Sequence, residues 1–164
     1  MKYQRKAIFL DRDGVLNEEI GDYVCRLEDF NILEHNFAPL LELQRSGYLL
    51  IIITNQGGLA KGWYAEEVLH QMHAHLRVTY LRHGIKLTEI YYCHHHPEFN
   101  GNCLCRKPGS ILVEKALARF NINASKSYFI GDRQRDITAG EAAGVKGILI
   151  NSNQSIADVL HRII

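Results

Sequence analysis

Apolar residues along this chain fall into short unbroken runs, and the segments between them repeat at helical spacing. Ala7 to Leu10, Leu49 to Asn55, Glu89 to Tyr92, Ser127 to Ile130 and Gly147 to Ile150 are each too short for an ordinary helix and read as five buried strands. Between them, Asn36 is placed to cap a helix through Ser46, with Pro39 tolerated in the first turn and Gly47 as the stop. Val68, Leu69, Met72, Leu76 and Tyr80 recur three or four apart, predicting a helix from Tyr64 to His83 that Gly84 closes. Ile111, Leu112, Ala116 and Phe120 mark another over Ser110 to Phe120. A further helix covers about Asp136 to Ala143, ended by Gly144, and Ser155 caps a last one. Strands alternating with helices imply an α/β fold: a parallel sheet with right-handed crossovers and a helical layer on each face. Val15 to Phe30 breaks the alternation, carrying neither period, and is expected to be a loop or small flap over the first strand's end.

The polar residues that interrupt this pattern gather where ligands of such sheets bind, at the carboxyl ends of the strands. Asp11 and Asp13 follow the first run, two apart, so an extended backbone points both carboxylates the same way, and Gly14 allows the turn. Such a pair suits a hard divalent cation, or two carboxylates with separate roles. Thr54 and Asn55 end the second run and offer a hydroxyl and an amide to phosphate oxygens; the Gly-rich QGGLAKG after them is a candidate anion cradle. Asp132 follows the fourth run and can complete a metal site with Asp11, supported by Asp136 one helical turn on. Lys107 supplies a compact positive charge. These are the parts that phosphate-ester hydrolysis needs, a reaction requiring up to ~10²¹-fold acceleration, beyond the ~10²–10⁴ that a single acid or base contributes.

Composition narrows the partners. The 164 residues fit one domain, 1–164, and no repeat, linker or low-complexity tract divides them. With 19 Lys and Arg against 18 Asp and Glu, the net charge of +1 points to neither a nucleic acid nor an acidic surface as partner. The basic start MKYQRK meets Asp11 too soon for a signal peptide and no run is long enough to span a membrane, so a cytoplasmic, monomeric enzyme without membrane partner is the expectation. Three of four cysteines crowd into Cys93 to Cys105, which in a cytosolic chain favours metal over disulfide. Cys93, Cys103 and Cys105 with one of His94, His95 or His96 would close a tetrahedral zinc site within a loop over 93–108. Cys25 reads as a plain thiol, and His70, His73, His75 and His83 as solvated residues on the long helix.

DRDGV after the first strand, Thr54 after the second, Lys107 before the fourth and GDRQRD after it resemble the haloacid dehalogenase superfamily of phosphohydrolases over nearly the whole chain. That resemblance implies a Rossmann-like three-layer sandwich, here without a large cap domain. It implies that Asp11 attacks phosphorus and that Asp13 protonates the leaving group, then deprotonates water. It assigns Mg2+ to Asp11, the Asp13 carbonyl and Asp132, and phosphoryl contacts to Thr54 and Lys107. Within the superfamily, the cysteine loop and TNQGGLAKG resemble the heptose 1,7-bisphosphate 7-phosphatases of nucleotide-activated heptose synthesis, and also the histidinol-phosphate phosphatases; this likeness selects His95 as the fourth zinc ligand. The substrate would be a small phosphorylated sugar met by Arg12, Tyr23, Asn55, Gln56, Arg106 and Arg133, although Tyr23 stands one residue from its place in the pattern. The rival from another class is a non-catalytic phosphosugar-binding module.

Overall fold

The computed structural model describes residues 4–164. Five strands, β1 (Lys6–Leu10), β2 (Tyr48–Asn55), β3 (Leu87–Cys93), β4 (Tyr128–Gly131) and β5 (Lys146–Leu149), form one parallel sheet in the order β3-β2-β1-β4-β5. Side chains alternate between its faces. Ile8, Leu10, Leu50, Ile52 and Ile130 join the core on one side, while Ala7, Phe9, Ile51, Ile53 and Phe129 join the core on the other. Both faces are therefore dry, which is why the strands read as continuous apolar runs.

Helices α1 (Phe37–Arg45) and α2 (Glu66–Arg82) and a C-terminal 3-10 helix (Ile156–Arg162) cover the first face, contributing Leu40, Leu43, Met72, Leu76, Tyr80, Ile156 and Val159. Helix α4 (Ile111–Phe120) covers the second with Val113 and Ala116; Ala143, just beyond α5 (Gln134–Ala142), packs beside them. A short α3 (Pro97–Asn100) lies in the cysteine-rich loop. Gly47, Gly84 and Gly144 stop their helices at positive φ, as expected. No helix among the described residues is long and apolar enough to cross a membrane.

Chain order explains where the site lies. From central β1 the chain runs outward through β2 to β3, then returns past β1 to β4 and β5. The direction reverses between β1 and β4, which opens a crevice at their carboxyl ends. Leu10 pairs with Ile130 in register, so the next residues, Asp11 and then Asp132 after Gly131, emerge side by side.

Two local expectations are corrected by long-range partners. Helix α2 begins at Glu66 instead of Tyr64, because the Tyr64 hydroxyl donates to Gln56 Oε1 at 2.6 Å and holds the preceding turn. Asn36 precedes α1 but its side chain does not cap it. Fully buried, it donates to Val15 O at 2.8 Å and accepts from Ile156 N at 2.8 Å, tying the start of the flap to the C-terminal helix. Asn36→Ala leaves a buried carbonyl and a buried N–H unpaired at ~1–3 kcal/mol each, so a loss of about 2–6 kcal/mol is expected. A urea unfolding midpoint close to wild type would refute this bracing role.

Candidate functional site

Strand β1 ends at Leu10, and residues 12–17 form tight turns in which Val15, Leu16 and Asn17 all donate to Arg12 O. Asp13 thus reaches the same cavity as Asp11 through a turn and not through strand alternation. Gly14 makes this possible: its φ is +82°, and a Cβ there would run into the Asp132 carboxylate. The cavity, about 280 Å³, has Asp11, Asp13 and Asp132 together with a wall of Asn55, Gln56 and Lys107. Glu19, Tyr23 and Val24 of the flap also line it, and Arg106, Arg133 and Arg135 add positive charge, with Arg133 4.0 Å from Glu19. Acidic floor and basic rim suit an anion bound together with a cation.

Each carboxylate has its own electrostatic surroundings. Lys107, buried, places Nζ 2.8 Å from Asp11 Oδ1, 2.7 Å from Asp136 Oδ1 and 2.6 Å from Ile53 O. Burial alone would lower its pKa, but Asp11 and Asp136 outweigh that and raise it, so the ammonium persists. Asp11 accepts from Lys107 and from Arg12 N on the same oxygen, Oδ1. Burial, with Asp136 and Asp13 nearby, pushes its pKa up to about 7 against the pull of Lys107. Asp13 goes the other way. Burial would raise it, but the Arg12 charge and hydrogen bonds from Arg12, Asn17 and Gln56 hold it below the usual carboxylate value.

Asp132 accepts from Ser152 Oγ at 2.6 Å on Oδ2, while its buried Oδ1 has no protein partner. Carboxylate oxygens of Asp11, Asp132 and Asp136 lie within 4.8 Å of one another. An orphaned buried oxygen facing other carboxylates is what a hard divalent cation would satisfy, so the residues fit Mg2+. Ser152 carried no signal in the sequence, since it sits in a loop after β5 far from any recognisable pattern.

Several residues expected to touch a ligand are instead committed to the protein. Arg12 is 1% exposed and absent from the cavity wall; it pairs with Asp13 at 2.8 Å and lies over the Phe30 ring. Gln56 donates to Asp13 Oδ2 and Thr54 Oγ1 and accepts from Tyr64, which uses both its N–H groups. Thr54 is buried behind the wall. Asn55 lines the cavity yet exchanges hydrogen bonds with the Lys107 backbone, at 3.1 Å and 3.0 Å, clamping the loop that delivers that lysine. Gly57 and Gly58 do not line the cavity; a Cβ on either would meet Tyr23, and on Gly58 also Tyr64, so these glycines make room for protein side chains. Tyr23, Arg106 and Arg133 do line it, with Arg133 near Asp132 and Glu19. His73, expected to be solvated, is buried against Arg12.

The cysteine-rich loop gathers Cys93, His95, Cys103 and Cys105, with one donor atom from each within 4.8 Å of the others. Of the three adjacent histidines, His95 alone joins this cluster. His96 accepts from Glu98 N to start α3, and His94 lines a separate hollow. Cys25 is a free thiol.

The HAD-hydrolase-like family model matches residues 104–163. A D-glycero-β-D-manno-heptose-1,7-bisphosphate 7-phosphatase from Haemophilus ducreyi is 39% identical over 93% of this chain and 86% of its own length. The chain belongs to this phosphatase family of HAD-like hydrolases. An enzyme of the same name from Helicobacter pylori is 40% identical over 88% of this chain and 82% of its own. A Photorhabdus laumondii relative named for the α anomer is 37% identical over 85% and 79%. The crystal structure of the D,D-heptose 1,7-bisphosphate phosphatase from B. bronchiseptica, complexed with magnesium and phosphate, superposes with a TM-score of 0.83 at 27% identity, covering 93% of this chain and 86% of that one. A HAD-like phosphatase from Mesorhizobium loti shares the fold, with a TM-score of 0.87 at 21% identity over 98% and 84%.

The raised pKa of Asp11 links metal binding to pH. A carboxyl whose folded pKa lies above its unfolded value holds its proton more firmly when folded, and that stabilisation is lost as pH rises from about 4 through about 7. A cation must displace this proton below pH 7 but not above it. Mg2+ should therefore raise the melting temperature more at pH 8 than at pH 5.5, as thermal-shift titrations would show; equal shifts would contradict the Asp11 assignment.

Proposed function

We propose that this chain removes the 7-phosphate of D-glycero-D-manno-heptose 1,7-bisphosphate by Mg2+-dependent hydrolysis through an aspartyl-phosphate. The observation that carries the reading is the floor of the cavity, where Asp11 lies beside the partnerless Asp132 Oδ1 in a chain 39% identical to an enzyme of that activity. Relatives named for either anomer match, so the reading concerns the 7-phosphate alone.

Both hydrogen bonds to Asp11 fall on Oδ1, which leaves Oδ2 as the nucleophile. It attacks phosphorus as the ester P–O bond breaks, and the departing alkoxide takes a proton from Asp13. Arg12, Asn17 and Gln56 lower the Asp13 pKa in the free protein; a phosphate dianion entering beside it raises that pKa by like-charge repulsion, the direction a general acid needs. Asp13, now a carboxylate again, accepts a proton from water, whose oxygen attacks phosphorus and releases inorganic phosphate from Asp11. Lys107 keeps Asp11 oriented and offsets negative charge on the phosphoryl oxygens. Mg2+, held by Asp11, Asp132 and the Asp13 main-chain carbonyl, would neutralise the charge between nucleophile and phosphate when bound. Arg106 and Arg133 on the rim meet the rest of the sugar phosphate, with the flap and the cysteine loop in place of a large cap domain.

The second metal of this reading is zinc on Cys93, His95, Cys103 and Cys105. Sγ separations of 3.6 Å for Cys93 to Cys103 and 3.7 Å for Cys103 to Cys105 sit close to the ~3.8 Å edge of a tetrahedron built with ~2.3 Å Zn–S bonds, while Cys93 and Cys105, 2.8 Å apart, would have to separate to hold the ion. Arg106 ties this loop to the cavity by donating to His95 O at 3.1 Å. Both apolar cores lie elsewhere. Chelating zinc should therefore leave the far-ultraviolet circular dichroism of the sheet and helices largely intact while activity falls, and unchanged activity would break the proposed coupling.

The substrate reading is tested by kcat/KM on heptose 1,7-bisphosphate and on histidinol phosphate, with Asp11→Asn alongside. The heptose ester should be preferred, and Asp11→Asn should abolish turnover while still binding it. Preference for histidinol phosphate would overturn the substrate, and turnover by Asp11→Asn would overturn the mechanism.

A further inference from the structure

His73 is buried on α2, whereas His70, His75 and His83 of the same helix face outward. Its Nε2 lies 3.3 Å from Arg12 Nη1. A guanidinium only donates, so Nε2 must be the unprotonated nitrogen and Nδ1 carries the ring proton. Burial and then the Arg12 charge push the His73 pKa down to about 3, in keeping with a permanently neutral ring. Arg12 Nη2 in turn donates to Asp13 Oδ1 at 2.8 Å, and the Arg12 head lies 5.1 Å from the centre of the Phe30 ring. Arg12 does not line the cavity. Its remaining use is to present one donor to Asp13, and the direction of that donor is set by what grips its other nitrogen.

We propose that His73 is a positioning residue for the phosphate-ester reaction: by accepting from Arg12 it fixes the guanidinium against Asp13, and so aims the carboxyl group that exchanges protons with leaving group and water. The inference rests on the role given to Asp13 above. It adds a residue from a helix that contributes no side chain to the cavity wall. Asp13 is then gripped on both oxygens: Oδ1 by the His73 and Arg12 arm and by Asn17, Oδ2 by the Tyr64 and Gln56 arm. The two arms differ in one respect that makes the first testable, namely that its outer member is a single side-chain acceptor.

His73→Met removes the acceptor and keeps a long apolar side chain; His73→Gln restores a side-chain oxygen. Arg12→Lys keeps the charge but not the forked donors. Each would be assayed by kcat/KM on heptose 1,7-bisphosphate and on p-nitrophenyl phosphate, whose phenolate departs without needing a proton, with melting temperatures measured in parallel. Since a general acid contributes ~10²–10⁴ and a misaimed one keeps part of that, His73→Met should lose about tenfold or more on the sugar ester. It should lose little on the aryl ester, and His73→Gln should recover most of the loss. Arg12→Lys should show the same ester-selective loss, which keeps the inference open to refutation if His73→Met does not fold.

Equal losses on both esters, or equal losses for His73→Met and His73→Gln, would reduce His73 to packing and overturn the inference. So would wild-type activity of Arg12→Lys on the sugar ester. Asp13→Asn separates the two levels. If it is inactive on the sugar ester while His73→Met behaves as wild type, the positioning role alone fails; if it is fully active, the role of Asp13 falls and the inference with it.

Discussion

Everything at this site follows from the repulsion among four carboxylates, Asp11, Asp13, Asp132 and Asp136, brought together at the ends of two adjacent strands. Two unit charges ~4 Å apart interact by ~4 kcal/mol at the effective dielectric of a partly buried site, so such a group cannot persist without compensation. The fold provides two cations. Lys107 lies between Asp11 and Asp136, and Arg12 is paired with Asp13. Asp132 alone has only a serine hydroxyl and a distant arginine, with one buried oxygen unmatched. Four carboxylates against two cations leave a deficit of two charges, one on Asp132 and one shared by Asp11 and Asp136, and a divalent cation is the simplest means of making it up.

The same balance divides the labour between the two aspartates of DRDG. Asp11 faces a lysine it shares with another carboxylate, and its pKa is raised; Asp13 has its own guanidinium and two amide donors, and its pKa is lowered. Two side chains two residues apart thus differ in pKa because the partners reaching them come from different parts of the chain. Those partners are themselves held: Lys107 by Asn55 through its backbone, Gln56 by Tyr64, Arg12 by His73. Orientation at the cavity therefore depends on a layer of buried polar contacts that touch no ligand.

The flap and the cysteine loop both contribute to the cavity, Tyr23 and Arg106 meeting over Gly57. Asn153 anchors the flap, donating its backbone N–H to Gly14 O and bonding Glu19 at both ends of its amide. Tyr23 is packed edge-on against Trp63 with Lys61 above the indole, so the wall it supplies is braced by the turn after β2. In the cysteine loop, Arg106 leads from the cysteine cluster to Lys107. The proposed zinc would thus act on catalysis only through the loop that carries the lysine.

Much of this was determined by the chain itself. A five-stranded parallel sheet was legible because strands buried on both faces must be apolar throughout, and the positions of Asp11 and Asp132 followed from where those runs end, whereas Asp13 arrives by a turn and Lys107 on a loop. The Cys93, Cys103, Cys105 set was legible because its spacing is local. What the tertiary structure decided is which polar side chains are spent on one another. In sequence Arg12, Gln56 and Asn55 read as substrate contacts and His73 as a solvated residue, yet each is occupied by a protein partner, among them ones 2 to 61 positions away. Helical periodicity places His73 on the stripe of Leu69, Leu76 and Tyr80 and His70 off it, but only the packing of α2 over Arg12 shows what the buried ring touches. A hydrogen bond is set by where two chains meet in space, and local sequence records only one of its two ends.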